Sequence, residues 1–329
     1  MANITKDGNI TTITKDKDKP FRILQLTDIH LGGSLVTRKH DTLALNAIRK
    51  VIENANADFI AVTGDMCYPF IIFSGTHNNI RAIKKVSELI ESFNIPWAPV
   101  FGNHDTESFA KANKDQISDY FKSLPNCLFE PGPKEITGVG NYSVLLKNPD
   151  GTINKALMFI DSNAYLTNNF FSGFDIIHDD QVEWYKNTIK DLSKDGPIIE
   201  SLAFYHIPPK EVHTAWTKWY MGNKENDVKY FCGFFNEKDN YSGYPKETPC
   251  NFFSEMVKLG SCKGMFFGHD HLNTASLEYQ GIRLTYGMSI DYHAYVKIAK
   301  KHTQRGGTII DIYDDGSFDV NLLPLDTLE

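Results

Sequence analysis

The sequence lacks the features of several classes of protein. No window approaches the ~20 apolar residues of a membrane-spanning helix, and residues 1–20 are polar, without the apolar stretch of a signal peptide. Basic residues are not in surplus, because 34 Lys and Arg stand against 41 Asp and Glu, for a net charge of -7. A broad nucleic-acid-binding surface requires a basic face. We therefore expect neither nucleic acid nor a membrane as a partner.

Cysteine is also scarce, and its spacing does not indicate disulfides or zinc. The cysteines are odd in number and form no Cys-X-X-Cys pair. A disulfide framework or a zinc–cysteine site would require paired cysteines at short spacings. We expect reduced thiols in a cytoplasmic protein. The five cysteines are Cys67, Cys127, Cys232, Cys250 and Cys262.

The first hundred residues alternate between strand-like and helix-like segments. The segment 21–27 and the continuous apolar runs 59–63 and 97–101 are typical of buried strands. Apolar residues at helical spacing predict helices over 41–54 and 80–93 between them. This β-α-β-α-β order predicts a parallel sheet with right-handed crossovers.

The rest of the chain is less regular and predicts a second sheet. The turn signal Asn148-Pro149-Asp150-Gly151 predicts a hairpin of strands 142–147 and 155–160. Residues 1–20, rich in Lys and Asp, are expected to form a flexible lead-in, and 21–329 a single domain. A further helix is predicted over 180–192, and strands at 198–205, 262–267, 276–279, 282–286 and 307–313.

Residues 208–250 form an aromatic-rich insertion that is too long for an ordinary connection. Long loops of this kind are lids, binding loops or disordered segments, and the aromatic content argues against disorder. A lid over the functional site and plain packing against the domain both remain open. The aromatic residues are Trp216, Trp219, Tyr220, Tyr230, Phe231, Phe234, Phe235, Tyr241 and Tyr244.

Five short motifs stand in one order along the chain, and each follows or ends a predicted strand. Ligands of open α/β sheets bind in the crevice beyond the carboxyl ends of the strands. Five motifs placed in this way are therefore expected to converge on one site. The motifs are Asp28-Ile29-His30, Gly64-Asp65, Gly102-Asn103-His104-Asp105, Tyr205-His206 and Gly268-His269-Asp270-His271.

The side chains of these motifs suit a pair of metal ions. Carboxylate oxygens and neutral imidazole nitrogens are ligands for Mn, Fe or Zn, and no thiolate restricts the choice. Asp65 is the best candidate for a carboxylate that bridges two ions, and His104 is left for proton transfer. Paired cations stabilise the attacking and leaving oxygens of an in-line displacement. The alternative is a set of ordinary polar residues at strand ends, each of which would need its own partner for burial.

The ordered motifs Asp-X-His, Gly-Asp, Gly-Asn-His-Asp, His and Gly-His-X-His resemble those of the calcineurin-like metallophosphoesterase superfamily. The resemblance covers roughly residues 21–290. It implies an α/β fold in which two mixed β-sheets pack as a sandwich flanked by helices. It also implies two metal ions. The implied ligands are Asp28, His30, Asp65 and His271 for one ion, and Asp65, Asn103, His206 and His269 for the other.

Within the superfamily the chain is most similar to the short purple-acid-phosphatase-like group, which includes fungal and plant cell-cycle-type phosphatases. One departure matters. Purple acid phosphatases use a tyrosine four residues after the Gly of the second motif and lack the histidine of the first. This chain has both, at Tyr68 and His30. Because both should not fill one coordination position, we predict that His30 is the ligand and Tyr68 a neighbouring or core residue.

The resemblance also implies an activity. His104 resembles the family's proton donor to the leaving group, with Asp105 orienting and charging its imidazole. The implied reaction is hydrolysis of phosphate monoesters by attack of a metal-bridging hydroxide, on a small-molecule or peptide-borne phosphoester. A phosphodiesterase of cyclic-nucleotide or nuclease type is the alternative. A non-catalytic scaffold is a third possibility, but a scaffold should have lost ligands, and none is missing here.

A few further residues could contact a substrate. His178, His213 and Arg38 could reach a phosphate, although surface positions are the simpler interpretation. Asn163 and Tyr165 follow a predicted strand and either line the pocket or pack against it.

Overall fold

The computed structural model describes residues 3–8, 10–17, 19–167, 173–222, 227–237 and 250–328. Within these residues fourteen strands form two sheets. The strands are β1 (Asn3–Asp7), β2 (Ile10–Thr14), β3 (Phe21–Leu26), β4 (Phe59–Thr63), β5 (Trp97–Val100), β6 (Tyr142–Lys147), β7 (Ile153–Phe159), β8 (Ser201–Phe204), β9 (Val228–Cys232), β10 (Cys262–Phe267), β11 (Ser276–Tyr279), β12 (Ile282–Tyr286), β13 (Gly306–Ile312) and β14 (Phe318–Pro324).

Two mixed sheets face each other. The larger has the strand order β1-β2-β6-β7-β8-β10-β12-β11-β9, and the smaller has β14-β13-β3-β4-β5. In the smaller sheet β3, β4 and β5 run parallel, as the alternation of strands and helices predicts. In the larger sheet β7, β8, β10 and β12 run parallel. The predicted α/β sandwich of two mixed sheets with flanking helices is confirmed.

Helices cover the outer faces of both sheets. The apolar faces of α1 and α3 pack on the smaller sheet, and those of α5, α6 and α7 pack on the larger. Among the described residues no helix combines the length and the apolar composition needed to cross a lipid bilayer. The helices are α1 (Arg38–Ala55), α2 (Ile71–Ser74), α3 (Asn79–Glu91), α4 (Lys114–Lys122), α5 (Asp179–Leu192), α6 (Glu211–Tyr220) and α7 (Phe252–Leu259).

Aromatic rings fill the space between the sheets. Tyr142, Phe159, Phe204 and Phe266 stand on neighbouring strands of the larger sheet and stack in one row. Their successive centroid distances are 4.9, 5.1 and 5.2 Å. Phe59 of the smaller sheet meets this row at Phe159, 6.2 Å away. Burying a large apolar side chain contributes roughly 1.5–3 kcal/mol, so this row fixes the strands whose ends carry the site.

Several strand bounds are predicted accurately from the sequence. The strands predicted at 59–63, 142–147, 262–267, 276–279 and 282–286 have these same bounds in the structure. The other predicted strands and helices are present with ends that differ by a few residues. The run 59–63 is a strand buried along its whole length, where almost every side chain must be apolar. The strands 276–279 and 282–286 also contain polar side chains, and each pairs with its neighbour in the larger sheet.

The expectation of a flexible lead-in over residues 1–20 is wrong for most of its length. β1 and β2 form an antiparallel pair, and β2 also pairs in parallel with β6. Ile13 is buried, and so is Lys15, whose ammonium group contacts Asp314 and the carbonyl oxygen of Lys19. The β-branched sequence of β2 favours a strand, and β6 supplies its pairing partner from the middle of the chain.

The described part of the aromatic-rich insertion at about 208–250 contains α6 and β9. β9 pairs with β11 and extends the larger sheet at its edge. The rings of Trp219 and Tyr230 stack at 4.2 Å, and those of Trp216 and Phe235 at 5.4 Å. These four rings are packing residues. Two other aromatic residues of the insertion, Tyr241 and Tyr244, lie outside the described residues. A lid formed by the insertion stays a prediction.

Candidate metal centre

The loops that follow β3 and β4 are held against each other by their backbones. The N–H groups of Ile29 and His30 donate to the carbonyl oxygen of Asp65 at 2.8 and 3.0 Å. Asp28, His30, Asp65 and His269 have left-handed φ angles of 50°, 53°, 53° and 77°. Such angles are uncommon outside glycine and persist where the surrounding structure fixes them, often at functional sites. The loops after β3, β4 and β10 therefore hold these four side chains in defined positions.

Asp105 fixes the same loops, which corrects the expectation that it orients the imidazole of His104. Its carboxylate accepts hydrogen bonds from four backbone N–H groups at 2.8–3.2 Å, those of Asp65, Met66, Cys67 and Gly102. With both oxygens directed at the backbone, the buried carboxylate joins the loop after β4 to the loop after β5. Asp105 therefore positions the loops that carry Asp65 and Asn103.

The first predicted group of metal ligands is brought together in the structure. One ligand atom from each of Asp28, His30, Asp65 and His271 lies within 4.8 Å of the others, and all four residues are buried. Oδ2 of Asp65 lies 3.1 Å from Nε2 of His30, and Oδ1 of Asp28 lies 3.6 Å from Nε2 of His271. These separations suit donors that surround one ion at bond lengths of about 2.0–2.2 Å.

The second predicted group lies beside the first and shares Asp65 with it. Nε2 of His206 lies 3.1 Å from Oδ1 of Asn103 and 3.1 Å from Oδ2 of Asp65. Nδ1 of His269 lies 3.0 Å from the same oxygen of Asn103. The other carboxylate oxygen of Asp65, Oδ1, accepts the backbone N–H of His104 at 2.8 Å. Oδ2 of Asp65 is thus the atom that both groups have in common.

The chemistry of this donor set fits cations. Burial lowers the pKa of His30, but the hydrogen bond with Asp65 and the charges of Asp291, Asp65 and Asp28 outweigh burial and raise that pKa to about 10. Burial also lowers the pKa of His206, but the charge of Asp65 and its hydrogen bond outweigh burial and raise that pKa to about 9. The negative charge of the buried carboxylates therefore favours the protonated form of His30 and His206. Metal ions compete for the same nitrogens and would neutralise this charge.

Two of the candidate histidine ligands are held by hydrogen bonds through their other ring nitrogen. Nδ1 of His206 donates to the carbonyl oxygen of Thr63 at 2.8 Å, and Nδ1 of His271 lies 2.9 Å from Oδ2 of Asp291. Such contacts fix the ring and direct Nε2 at the metal. Burial raises the pKa of Asp291, but the hydrogen bond from His271 and the charges of His30 and His271 hold it well below the usual range. Asp291 was missed from the sequence, where no motif surrounds it.

His104 is oriented by Glu107. Nδ1 of His104 lies 2.7 Å from Oε1 of Glu107, and the hydroxyl of Tyr165 donates to that oxygen at 2.8 Å. Nδ2 of Asn103 donates to the same hydroxyl at 3.1 Å. Glu107 and Tyr165 are both buried. A chain of hydrogen bonds therefore joins a candidate metal ligand to the candidate proton donor, and Tyr165 has a position at the site. The sequence signal for Glu107 was its place three residues after a histidine.

A cavity of about 550 Å³ opens beside both ligand groups. Asp65, His104, His269 and His271 form its polar end. Its other described walls combine rings, apolar side chains and carboxyl groups. They include Tyr68, Phe174, Glu237, Asp270, Leu272 and Tyr295.

Tyr68 packs on the site. Its ring centroid lies 5.7 Å from that of His30 and 4.9 Å from that of His104. Because His30 stands in the first ligand group, we expect the iron-loaded protein to show no tyrosinate-to-iron charge-transfer band. Visible spectra of the iron-loaded wild type and Tyr68→Phe should superimpose. A band that is present in the wild type and absent from the variant would make Tyr68 a ligand.

Four other candidate residues lie away from this cavity. His178 pairs with Asp175 at 3.0 Å, and Nδ2 of Asn163 donates to the carbonyl oxygen of Ile176. Arg38 lines a separate groove between α1 and α3. His213 packs its ring on that of Phe235 at 4.8 Å. In the described structure none of the four lines the cavity beside the ligand groups.

Some known proteins are similar to this chain in sequence, and others are similar in fold. It is 29% identical to the probable inactive purple acid phosphatase 29 of Arabidopsis thaliana, over 84% of this chain and 73% of that protein. It is 27% identical to the phosphatase DCR2 of Saccharomyces cerevisiae, over 81% of this chain and 46% of that protein. A solved dimetal phosphatase from Danio rerio shares the fold with a TM-score of 0.59, at 12% identity, over 94% of this chain and 97% of that chain.

The family model of the calcineurin-like phosphoesterases matches residues 21–273. This range contains all seven candidate metal ligands, together with His104 and Glu107. The chain belongs to the calcineurin-like phosphoesterase family.

Proposed function

We propose that the protein hydrolyses phosphate monoesters with two metal ions, and that its substrate is a small-molecule or peptide-borne phosphoester. The observation that carries the proposal is the position of Oδ2 of Asp65, 3.1 Å from Nε2 of His30 and 3.1 Å from Nε2 of His206. Because this oxygen lies between imidazoles of two ligand groups, Asp65 would help to hold both ions. Mn, Fe and Zn all suit these oxygen and nitrogen donors.

The chain's own residues divide the work of such a reaction. When bound, two cations would activate a water molecule and neutralise charge on the phosphoryl oxygens. His104 lines the cleft, with Nδ1 held by Glu107, and is placed to give a proton to the leaving oxygen. Asp105 holds the loops that carry the ligands, and Asp291 holds His271.

A non-catalytic role is the contrasting interpretation, because the name of the Arabidopsis relative includes the words "probable inactive". A protein that keeps the fold only to bind a partner has no need of a complete ligand set. In this chain all seven candidate ligands and His104 lie at one site. The seven ligands are buried, and His104 is partly exposed. This completeness supports catalysis.

Metal loading and two chromogenic esters test the proposal. The protein is saturated with Mn, Fe or Zn, desalted, and assayed with p-nitrophenyl phosphate and bis(p-nitrophenyl) phosphate. We expect kcat/KM for the monoester to exceed that for the diester by at least about tenfold, or ~1.4 kcal/mol in barrier. A preference for the diester would indicate a phosphodiesterase. A metal-loaded protein that hydrolyses neither ester would indicate a scaffold.

The thiols support the proposal of a cytoplasmic location. All five cysteines lie in the described part of the chain, and none of them pairs with another. Unpaired cysteines are typical of reducing compartments.

Glu107 should matter through His104. Glu107→Gln keeps the size of the side chain and an acceptor oxygen but removes the charge that holds the imidazole. We expect kcat for alkyl phosphates to fall by about 10- to 100-fold, part of the ~10²–10⁴-fold that a general acid contributes, with a smaller loss for nitrophenyl phosphate. The exposed Glu135 provides the control variant Glu135→Gln. Equal losses on both esters, or a loss of metal, would assign Glu107 a structural role only.

A further inference from the structure

The cavity wall beyond the ligand groups is aromatic and acidic. Tyr68, Phe174 and Tyr295 contribute rings, and Glu237 and Asp270 contribute carboxyl groups. No Lys or Arg is among the described residues that line the cavity. Along the described part of the wall, a second anionic group on a substrate, such as a further phosphate or a carboxylate, would meet carboxyl groups and no basic side chain.

One corner of the cavity places an aromatic ring next to a carboxylate. The ring of Tyr295 stacks on that of His271, with centroids 4.1 Å apart and planes 16° apart. Its hydroxyl donates to Oε2 of Glu237 at 3.2 Å, and Oε1 of Glu237 accepts the backbone N–H of Leu272 at 2.8 Å. Glu237 and Tyr295 therefore hold each other in place beside His271, a candidate metal ligand.

A second ring flanks the other ligand group. The centroid of Phe174 lies 4.3 Å from that of His269, with the ring planes at 88°. Phe174 and Tyr295 therefore stand against one histidine of each group, and both face the cavity that a substrate must enter. Any alcohol that is esterified to a phosphoryl group at the ligands would extend along these rings.

Aromatic rings beside a carboxylate form a binding site for an ammonium group. Ring faces attract cations, including quaternary ammonium, by about 0.5–2 kcal/mol in general, and a carboxylate adds its charge. A neutral apolar alcohol would use the rings but would leave the carboxylate of Glu237 without a partner cation in a half-buried position. The charge of the wall thus favours a cationic alcohol over a neutral one of the same shape.

We infer that the alcohol part of the substrate carries an ammonium group, which binds between Tyr295 and Glu237. The substrate class is then the phosphate monoester of an amino alcohol. This inference rests on the proposed phosphomonoesterase activity and specifies its substrate.

A pair of isosteric esters tests the inference. Choline phosphate and 3,3-dimethylbutyl phosphate have the same shape and differ only in a charged nitrogen in place of a carbon. We expect kcat/KM for choline phosphate to be at least about tenfold higher. In Glu237→Gln the ratio should fall to about threefold or less, whereas the exposed control Glu53→Gln should keep the wild-type ratio. A ratio near one in the wild type, or an unchanged ratio in Glu237→Gln, overturns the inference.

A binding measurement separates this inference from the proposed function. The corresponding phosphonates, with a carbon in place of the ester oxygen, cannot be hydrolysed, and their Kd values for the metal-loaded protein follow from calorimetry. The trimethylammonium phosphonate should bind at least about tenfold tighter than its dimethyl carbon isostere, and Glu237→Gln should reduce that difference. If no ester is hydrolysed, the proposed function fails, and the ratio of the two Kd values still decides the inference.

Discussion

Replacing Asp65 with asparagine is expected to lower kcat by at least about 10³-fold, or ~4 kcal/mol in barrier. Oδ2 of Asp65 lies 3.1 Å from Nε2 of both His30 and His206, and Oδ1 accepts the N–H of His104 at 2.8 Å. An asparagine has only one side-chain oxygen, so it cannot both accept the N–H of His104 and face the two cation positions. With its oxygen toward the N–H of His104, its NH₂ group would point at the two cation positions. With its oxygen toward the cations, the N–H of His104 would lose its acceptor.

The measurement is turnover of p-nitrophenyl phosphate together with metal content per chain. We expect Asp65→Asn to retain one metal ion or fewer, because a neutral amide cannot offset the repulsion between two cations. Asp119→Asn makes the same chemical change at an exposed position of α4 and should keep wild-type values for both. An Asp65→Asn protein that holds two ions and turns over within about tenfold of the wild type would remove Asp65 from the bridging role.

Replacing His104 with alanine should cost about 10²–10⁴-fold in kcat on alkyl phosphates, the usual contribution of a general acid. The imidazole lines the cleft and is held by Glu107 at 2.7 Å, which fixes the direction in which it can deliver a proton. Nitrophenolate leaves without much help from an acid. The loss on nitrophenyl phosphate should therefore be much smaller than the loss on an alkyl ester.

Metal content provides the control for this variant. The side chain of His104 belongs to neither ligand group, and only its backbone N–H contacts Asp65. His104→Ala should therefore keep the wild-type number of ions. Losses of equal size on alkyl and nitrophenyl esters, with the metal retained, would show that His104 stabilises charge and does not protonate the leaving oxygen.

The sequence predicts the strands and the ligands well because both depend on short segments. A strand buried on both faces is almost wholly apolar, so the short run at 59–63 indicates a buried strand. The ligands follow predicted strands, and in the structure the ends of β3 and β4 in the smaller sheet meet the end of β10 in the larger sheet. The structure accordingly brings Asp28, Asp65 and His271 into one group.

The partner of His104 could not be read from the sequence in the same way. Asp105 and Glu107 are both carboxylates within three residues of the imidazole, and the choice depends on how the loop turns after β5. The loop directs Asp105 at the backbone of the neighbouring loop and leaves Glu107 to the imidazole. Asp291 is a harder case, because it is adjacent to His271 only through the fold.

The N-terminal strands could not be predicted from the sequence for a different reason. β2 has three threonines among its five residues, and its buried side chains alternate with exposed or half-buried ones. Its stability comes from pairing with β6, which no local pattern reveals. A polar composition therefore suggested a flexible segment where long-range pairing produces a sheet edge.

The number of metal ions per chain tests the central claim most directly. The protein is saturated with Mn, Fe or Zn, desalted to remove loosely bound ions, and measured by elemental analysis against protein concentration. The shared oxygen of Asp65 predicts two ions per chain in the wild type. One ion or fewer per chain in a folded, saturated protein would contradict the binuclear centre and the mechanism built on it.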